Sequence, residues 1–184
     1  MRLFIAVQVP EFVKALASTI KDELSTAGAD IKWVEHENYH LTIKFLGEVE
    51  RKEIVNIREK LKEAAQVSTP FDLAVSRSGC FPGRNRPRVL YLGITGQTHM
   101  AEELARRIDA GLIQLGFEPD HRRRFHLTLG RFRSQNNKEK LLDLADNLQH
   151  EMERKFHVDQ FHLMESQLSK HGPVYKVLET IKIS

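Results

Sequence analysis

Apolar residues return along this chain in two rhythms, alternate positions and every third or fourth. Residues 3–9 read as a strand, and Pro10 stands where a helix can begin, because its missing N–H costs nothing in a first turn. Val13, Leu16, Ile20 and Leu24 then predict one helical face. After turn-rich residues 25–30, residues 31–34 predict a short strand with Ile31 and Trp33 on one face, and residues 39–46 a longer one ended by Gly47. Ile54, Ile57, Leu61 and Ala64 mark a second helix, and Phe71, Leu73 and Val75 alternate as a strand.

Residues 79–87 read as a loop by their Gly and Pro content, after which the pattern restarts. Residues 89–94 predict a strand, and Met100, Leu104, Ile108, Leu112 and Leu115 a helix. Residues 125–132 form the next strand and Leu141, Leu144, Ala145 and Leu148 the next helix, with closing strands at 158–166 and 174–183. The order strand, helix, strand, helix, strand thus occurs twice. A shift of 86 residues carries Arg2-Leu3-Phe4 onto Arg88-Val89-Leu90 and His40 onto His126. One two-lobed domain over residues 1–184 is expected, built from pseudo-repeats at about 1–80 and 86–184.

Under that shift His40-Leu41-Thr42-Ile43 lands on His126-Leu127-Thr128-Leu129. Nine His and eight Thr among 184 residues predict about 0.4 His-x-Thr triplets by chance, so two in equivalent places carry weight. On a strand, His and Thr share one face while the intervening Leu enters the core. Packed across a cleft, the two tetrads would set an imidazole on either side of a bound group. One could deprotonate an attacking oxygen and the other protonate a leaving oxygen at phosphorus. Thr hydroxyls and an Arg would hold the remaining phosphate oxygens, with no metal required.

Length and composition fit that picture. At 21.3 kDa with 41% hydrophobic residues the chain has enough apolar surface for one core. Cys80 stands alone, which excludes an intramolecular disulfide framework and a zinc site built on several cysteines. No apolar run approaches the roughly 20 residues of a membrane span, and the opening residues lack a signal-peptide pattern, so a cytoplasmic protein is expected; a monomer is a separate expectation. Charge is uneven: from Arg77 to Arg133 there are eleven Arg, no Lys and five acids. Guanidinium groups fork onto phosphate oxygens, so this stretch suggests a phosphate-bearing partner.

With these motifs the sequence resembles the RNA 2′,3′-cyclic phosphodiesterases of the two-histidine phosphoesterase superfamily, also called the 2′-5′ RNA ligase family. The likeness runs through Arg2 to Val7, Trp33 to Gly47, Pro87 to Tyr91, His126 to Arg131, Glu165-Ser166 and Gly172 to Tyr175. It implies a bilobal α+β fold with antiparallel sheets lining a central cleft and helices packed outside. It also implies metal-independent, cofactor-free opening of an RNA terminal 2′,3′-cyclic phosphate to a 2′-phosphomonoester, with tRNA fragments among candidate substrates and reversible 2′-5′ RNA ligation as a further activity. Carried over by residue, His40 would be the general acid on O3′ and His126 the base for water. Thr42, Thr128 and Arg131 would hold phosphate. Strict alternation puts Arg131 on the core face, a conflict that a bulge at Gly130 would relieve; without one, Arg124 or Arg133 must supply the cation. Phe45 and Phe81 are candidates to stack on the terminal base.

Two other readings use the same residues. His36-Glu37-Asn38-Tyr39-His40 matches the zinc-protease H-E-x-x-H pattern, but that motif needs a helix where strand, turn and strand are expected. A non-catalytic RNA-binding module would use Arg84, Arg86, Arg88 and Arg122 to Arg124 on the backbone and would not need twin His-Thr pairs.

Overall fold

The computed structural model describes residues 1–148 and 153–184. Along them run β1 (Arg2–Gln8), α1 (Glu11–Ser25), β2 (Ile31–Trp33), β3 (His40–Glu48), α2 (Ile54–Gln66), β4 (Phe71–Phe81), β5 (Val89–Gly96), α3 (Thr98–Ile113), β6 (His126–Phe132), α4 (Lys138–Asp146), β7 (Arg154–Val158), β8 (Gln160–Ser169) and β9 (Gly172–Lys182). No helix of the described residues is long and apolar enough to cross a membrane.

Every strand pairing is antiparallel, and the strands join in one curled sheet of order β7-β4-β5-β6-β3-β1-β8-β9, with β2 added beside β6. The expected antiparallel sheets therefore meet as two halves, β7-β4-β5-β6 and β3-β1-β8-β9. Each half borrows from the other part of the chain: β4 extends β5, and β8 extends β1. The seam between them is the single pair Leu41↔Leu127.

Helix stripes cover one face of this sheet. Val13, Ala17, Ile20 and Leu24 of α1, Ile57 and Leu61 of α2, Leu104, Ile108 and Leu112 of α3 and Leu141 of α4 share a core with Leu3, Ile5, Val7, Leu41 and Leu127. Burial of such side chains, at about 1.5–3 kcal/mol each, is what holds the helices to the strands. The opposite face carries, among the described residues, a small cluster of Phe4, Ala6 and Met164 with Tyr175 against it.

Several boundaries differ from the periodicity by a few residues, among them β3, which runs through Gly47 to Glu48 instead of ending there, and α3 and α4, which stop at Ile113 and Asp146 short of Leu115 and Leu148; three more bear on the topology. The strand expected at 158–166 is two strands: Val158 closes β7 on the β4 edge, and after Asp159 the chain begins β8 beside β1. The crossing is Asp159 alone, and with Gln160 it makes a polar gap of only two residues, too short to read as a connection between strands. The loop expected at 79–87 begins later, since Gly79, Cys80 and Phe81 pair with Tyr91, Leu90 and Val89. The strand expected at 31–34 stops at Trp33.

Candidate active site

The site grows from the seam. Leu41 and Leu127 point into the core at 1% and 0% exposure, so the residues on either side of each point to the open face. In antiparallel pairing this sets Thr42 beside His126 and Thr128 beside His40. The two tetrads thus face one cleft.

Both strands then bulge at the same place. On β3, Thr42 pairs with Ala6 and Lys44 with Ile5, leaving Ile43 unmatched; on β6, Thr128 pairs with Tyr91 and Gly130 with Leu90, leaving Leu129 unmatched. The extra residue turns two successive side chains inward and returns the third to the cleft face. Arg131 is therefore on the cleft side, and the bulge removes the conflict that alternation raised; Phe45, 68% exposed, occupies the matching place on β3. In these registers Phe4 pairs with Phe45 as Val89 pairs with Arg131, so the pairing sets β1 beside β5 at an offset of 85 where β3 and β6 differ by 86, and Phe4 corresponds to Val89 rather than Leu90.

The imidazoles are held alike. His40 Nδ1 lies 2.7 Å from the Asn38 carbonyl, and His126 Nδ1 lies 2.7 Å from the Arg124 carbonyl. A carbonyl only accepts, so each Nδ1 carries a proton and each Nε2 is left for chemistry. His40 Nε2 is 3.0 Å from Thr42 Oγ1. Aromatic rings wall both: Phe4 and Tyr175 each have centroids 5.1 Å from His40, with Phe81 at 5.0 Å and Tyr91 at 5.6 Å from His126. Burial is the main cause that pulls His40 down to about 4, opposed by the Asn38 carbonyl and reinforced by His126, Arg131 and Lys14. Burial also lowers His126, against its bond to Arg124 and with the Arg131 charge. Arg131 thus acts on both rings.

A pocket of about 480 Å³ opens beside His126, with Thr42, Phe45, Phe81, Pro82, Arg122 and Arg124 in its wall. Both aromatics singled out for base stacking reach it, and the Arg124 guanidinium sits 5.8 Å from the Phe81 ring centre. The Arg122 to Arg124 run divides: Arg123 has a side chain only 3% exposed and is tied to Asp109 and Glu102, so it is no solvated contact. Arg84 pairs with Asp143 and Asp146. Sequence reasoning missed Lys44 and Asp109, which are buried behind the bulge, and Tyr175, Phe4 and Tyr91 around the rings.

The H-E-x-x-H pattern comes apart. His36 stands in a 3₁₀ turn, between Ser18 Oγ at 2.7 Å and Glu11 Oε1 at 2.5 Å, while His40 opens β3 and turns to the cleft. Among the described residues no three His, Cys, Asp or Glu side chains gather in a way that could hold a metal.

The LigT like Phosphoesterase family matches residues 7–91 and 94–175, nearly the whole chain and both tetrads. The chain belongs to the LigT-like phosphoesterase family. Among its relatives of that kind is the RNA 2′,3′-cyclic phosphodiesterase of Methanothermobacter thermautotrophicus, 31% identical and covering 100% of this chain and 99% of its own. The Thermotoga maritima enzyme of the same name is 36% identical over 97% of this chain and 93% of its own. The crystal structure of TT0787 of Thermus thermophilus superposes with a TM-score of 0.82 at 27% identity, covering 100% of this chain and 98% of the other. Escherichia coli LigT complexed with 3′-AMP shares the LigT-like fold, with a TM-score of 0.71 at 20% identity over 100% of this chain and 98% of the other.

Proposed function

We propose that this phosphoesterase hydrolyses the 2′,3′-cyclic phosphate at RNA 3′ ends to a 2′-phosphomonoester, without metal or cofactor. His126 Nε2 takes a proton from water as its oxygen bonds to phosphorus; the P–O3′ bond breaks in line, and His40 Nε2 gives its proton to O3′. Thr42, Thr128 and Arg131 hold the non-bridging oxygens and stabilise the charge that gathers there. The observation that carries the reading is the pair of imidazoles across one strand seam, each with Nδ1 tied to the carbonyl two residues earlier. The relatives named RNA 2′,3′-cyclic phosphodiesterase support the substrate.

A single two-lobed unit of pseudo-repeats 1–80 and 86–184, acting as a cytoplasmic monomer, completes the proposal, with tRNA fragments among the RNAs it would meet. With an RNA 5′-hydroxyl in place of water, the same two groups would join it to the cyclic phosphate: His126 takes the hydroxyl proton as its oxygen bonds to phosphorus, the P–O3′ bond breaks, and His40 protonates O3′, leaving a 2′-5′ linkage.

One observation favours exchanged roles. His40 is the more strongly depressed of the two and would be the readier base at neutral pH. A bound anion raises both imidazoles, so His40 can hold the proton the acid needs, and the product ester decides which ring acts as acid. The test is an RNA oligonucleotide ending in a 2′,3′-cyclic phosphate, incubated with excess EDTA, with the product ester identified. A 2′-phosphate is expected, and His40→Ala or His126→Ala should each lower turnover about 100-fold or more. A 3′-phosphate would establish the exchanged roles or a reversed substrate. Salt-dependent binding without turnover would leave a binding module.

A further inference from the structure

The cleft leaves one ionic cluster unexplained, on the far side of β3. Asp109, near the C-terminal end of α3, is bonded by Lys44 Nζ at 2.6 Å and by Arg123 at 2.5 Å, and the three side chains are only 8%, 5% and 3% exposed. Arg123 also donates through Nε to the Ile43 carbonyl at 3.1 Å and pairs with Glu102 at 3.0 Å. Lys44 donates to the Glu118 carbonyl at 2.5 Å, and Asp109 accepts from the Asp120 N–H at 3.3 Å. Burial alone would raise the Asp109 carboxyl, but bonds from Lys44 and Arg123 outweigh it and hold it below the usual carboxylate range.

Replacing such a buried ionic group with apolar side chains of like volume is often neutral or stabilising, so stability does not explain it. Its bonds end in two places. One is the carbonyl of bulged Ile43, next to Thr42. The other is the stretch 118–124, whose last carbonyl, that of Arg124, accepts from His126 Nδ1 at 2.7 Å.

We propose that Arg123, held by Asp109, is a positioning residue for His126: it fastens residues 118–124 to the β3 bulge, aims the Arg124 carbonyl, and keeps the ring in its Nδ1–H tautomer. An Nε2 without a proton then faces the cleft. Free imidazole in water has no such constraint, and without the clamp the His126 proton would be shared with Nε2, where it blocks proton uptake. His40 serves as an internal reference. Its carbonyl partner, Asn38, is fixed separately by Asn38 Nδ2 bonding to the Pro173 carbonyl at 2.9 Å.

The catalytic consequence rests on the role proposed for His126, but the tautomer does not. Two-bond ¹H–¹⁵N ring spectra of the full chain, above the pH at which both rings are neutral, read the tautomers directly. In Arg123→Met, His126 should become a mixture of tautomers while His40 stays Nδ1–H. On the cyclic-phosphate RNA, kcat should fall about tenfold or more with KM within about twofold. Arg123→Lys, which can reach Asp109 but not Ile43 and Glu102 together, should recover part of both, and it decides the matter if Arg123→Met does not fold. A pure Nδ1–H His126 with wild-type kcat overturns the proposal, as does an equal change at both rings. Absence of turnover by the wild-type protein would remove the hydrolase reading, and the spectra would still test the clamp.

Discussion

Exchanging His40 for glutamine should make the protein more tolerant of acid. In the fold the His40 imidazole is held down to about 4, chiefly by burial, whereas an unfolded chain titrates it near 6.5. Between those values the unfolded state holds a proton that the folded state lacks, so stability rises with pH. The His40 contribution is thus fully present above pH 6.5 and is lost as the pH falls toward 4. Linkage between these two values gives a loss of about 2 kcal/mol at pH 5 and about 3 kcal/mol at pH 4. With a urea slope near 2 kcal/mol/M, the loss at pH 5 moves the midpoint by about 1 M. His126, His162 and the carboxylates also titrate in acid, so the informative quantity is a difference between proteins. Urea midpoints of wild type and His40→Gln, measured at pH 7 and pH 5 by circular dichroism, supply it. The variant should lose about 1 M less between the two pH values. Parallel losses would refute the inference that burial keeps this ring neutral.

The pH–rate profile of kcat/KM should be a bell lying in acid, with one limb about 4 from His40 and the other below 6.5 from His126, and the kcat bell should sit at higher pH because a bound anion favours both protonated rings. Gly79→Ala would bring a Cβ to 2.5 Å from the Tyr91 hydroxyl, so the ring that flanks His126 must shift; a turnover loss of about tenfold is expected in initial-rate assays. Gly130→Ala would set a Cβ 2.8 Å from Ile31 Cδ1 and 3.0 Å from the Lys32 carbonyl, prising β2 from β6 at a cost of about 1–3 kcal/mol, read as a lower melting temperature. Arg131→Gln should weaken binding of a nucleoside 2′-phosphate in calorimetric titration, with the product ester unchanged.

The tetrads were legible because a strand period of two makes His and Thr neighbours on one face wherever the backbone is regular. Arg131 was not assignable in that way. Its face depends on the extra residue at Leu129, and a bulge shifts the period without changing residue type. Lys44 was hidden for the same reason: alternation from His40 and Thr42 predicts an outward lysine, whereas the bulge at Ile43 turns it into the core. Asp109 looks like one polar residue in an amphipathic helix, and only its two distant cations, 65 and 14 residues away, give it meaning. The crossing at Asp159 was hard to read because Asp159 and Gln160 are the whole polar gap between buried Val158 and Phe161, shorter than an ordinary connection between strands.

The single-pair seam at Leu41 and Leu127 has a metric consequence. Because both imidazoles stem from hydrogen-bonded strands, their separation is counted in peptide units: one strand spacing across and two residues along, about 8 Å between Cα atoms. A gauge made of backbone does not drift when side chains behind it are exchanged, so repacking Ile20 or Leu104 should soften the protein and leave the span between the two rings unaltered. Its weak point is arithmetic. Inserting or deleting one residue between Leu41 and Lys44 would move Phe45 to the opposite face while His40 kept its place, so this stretch should tolerate substitutions far better than changes of length.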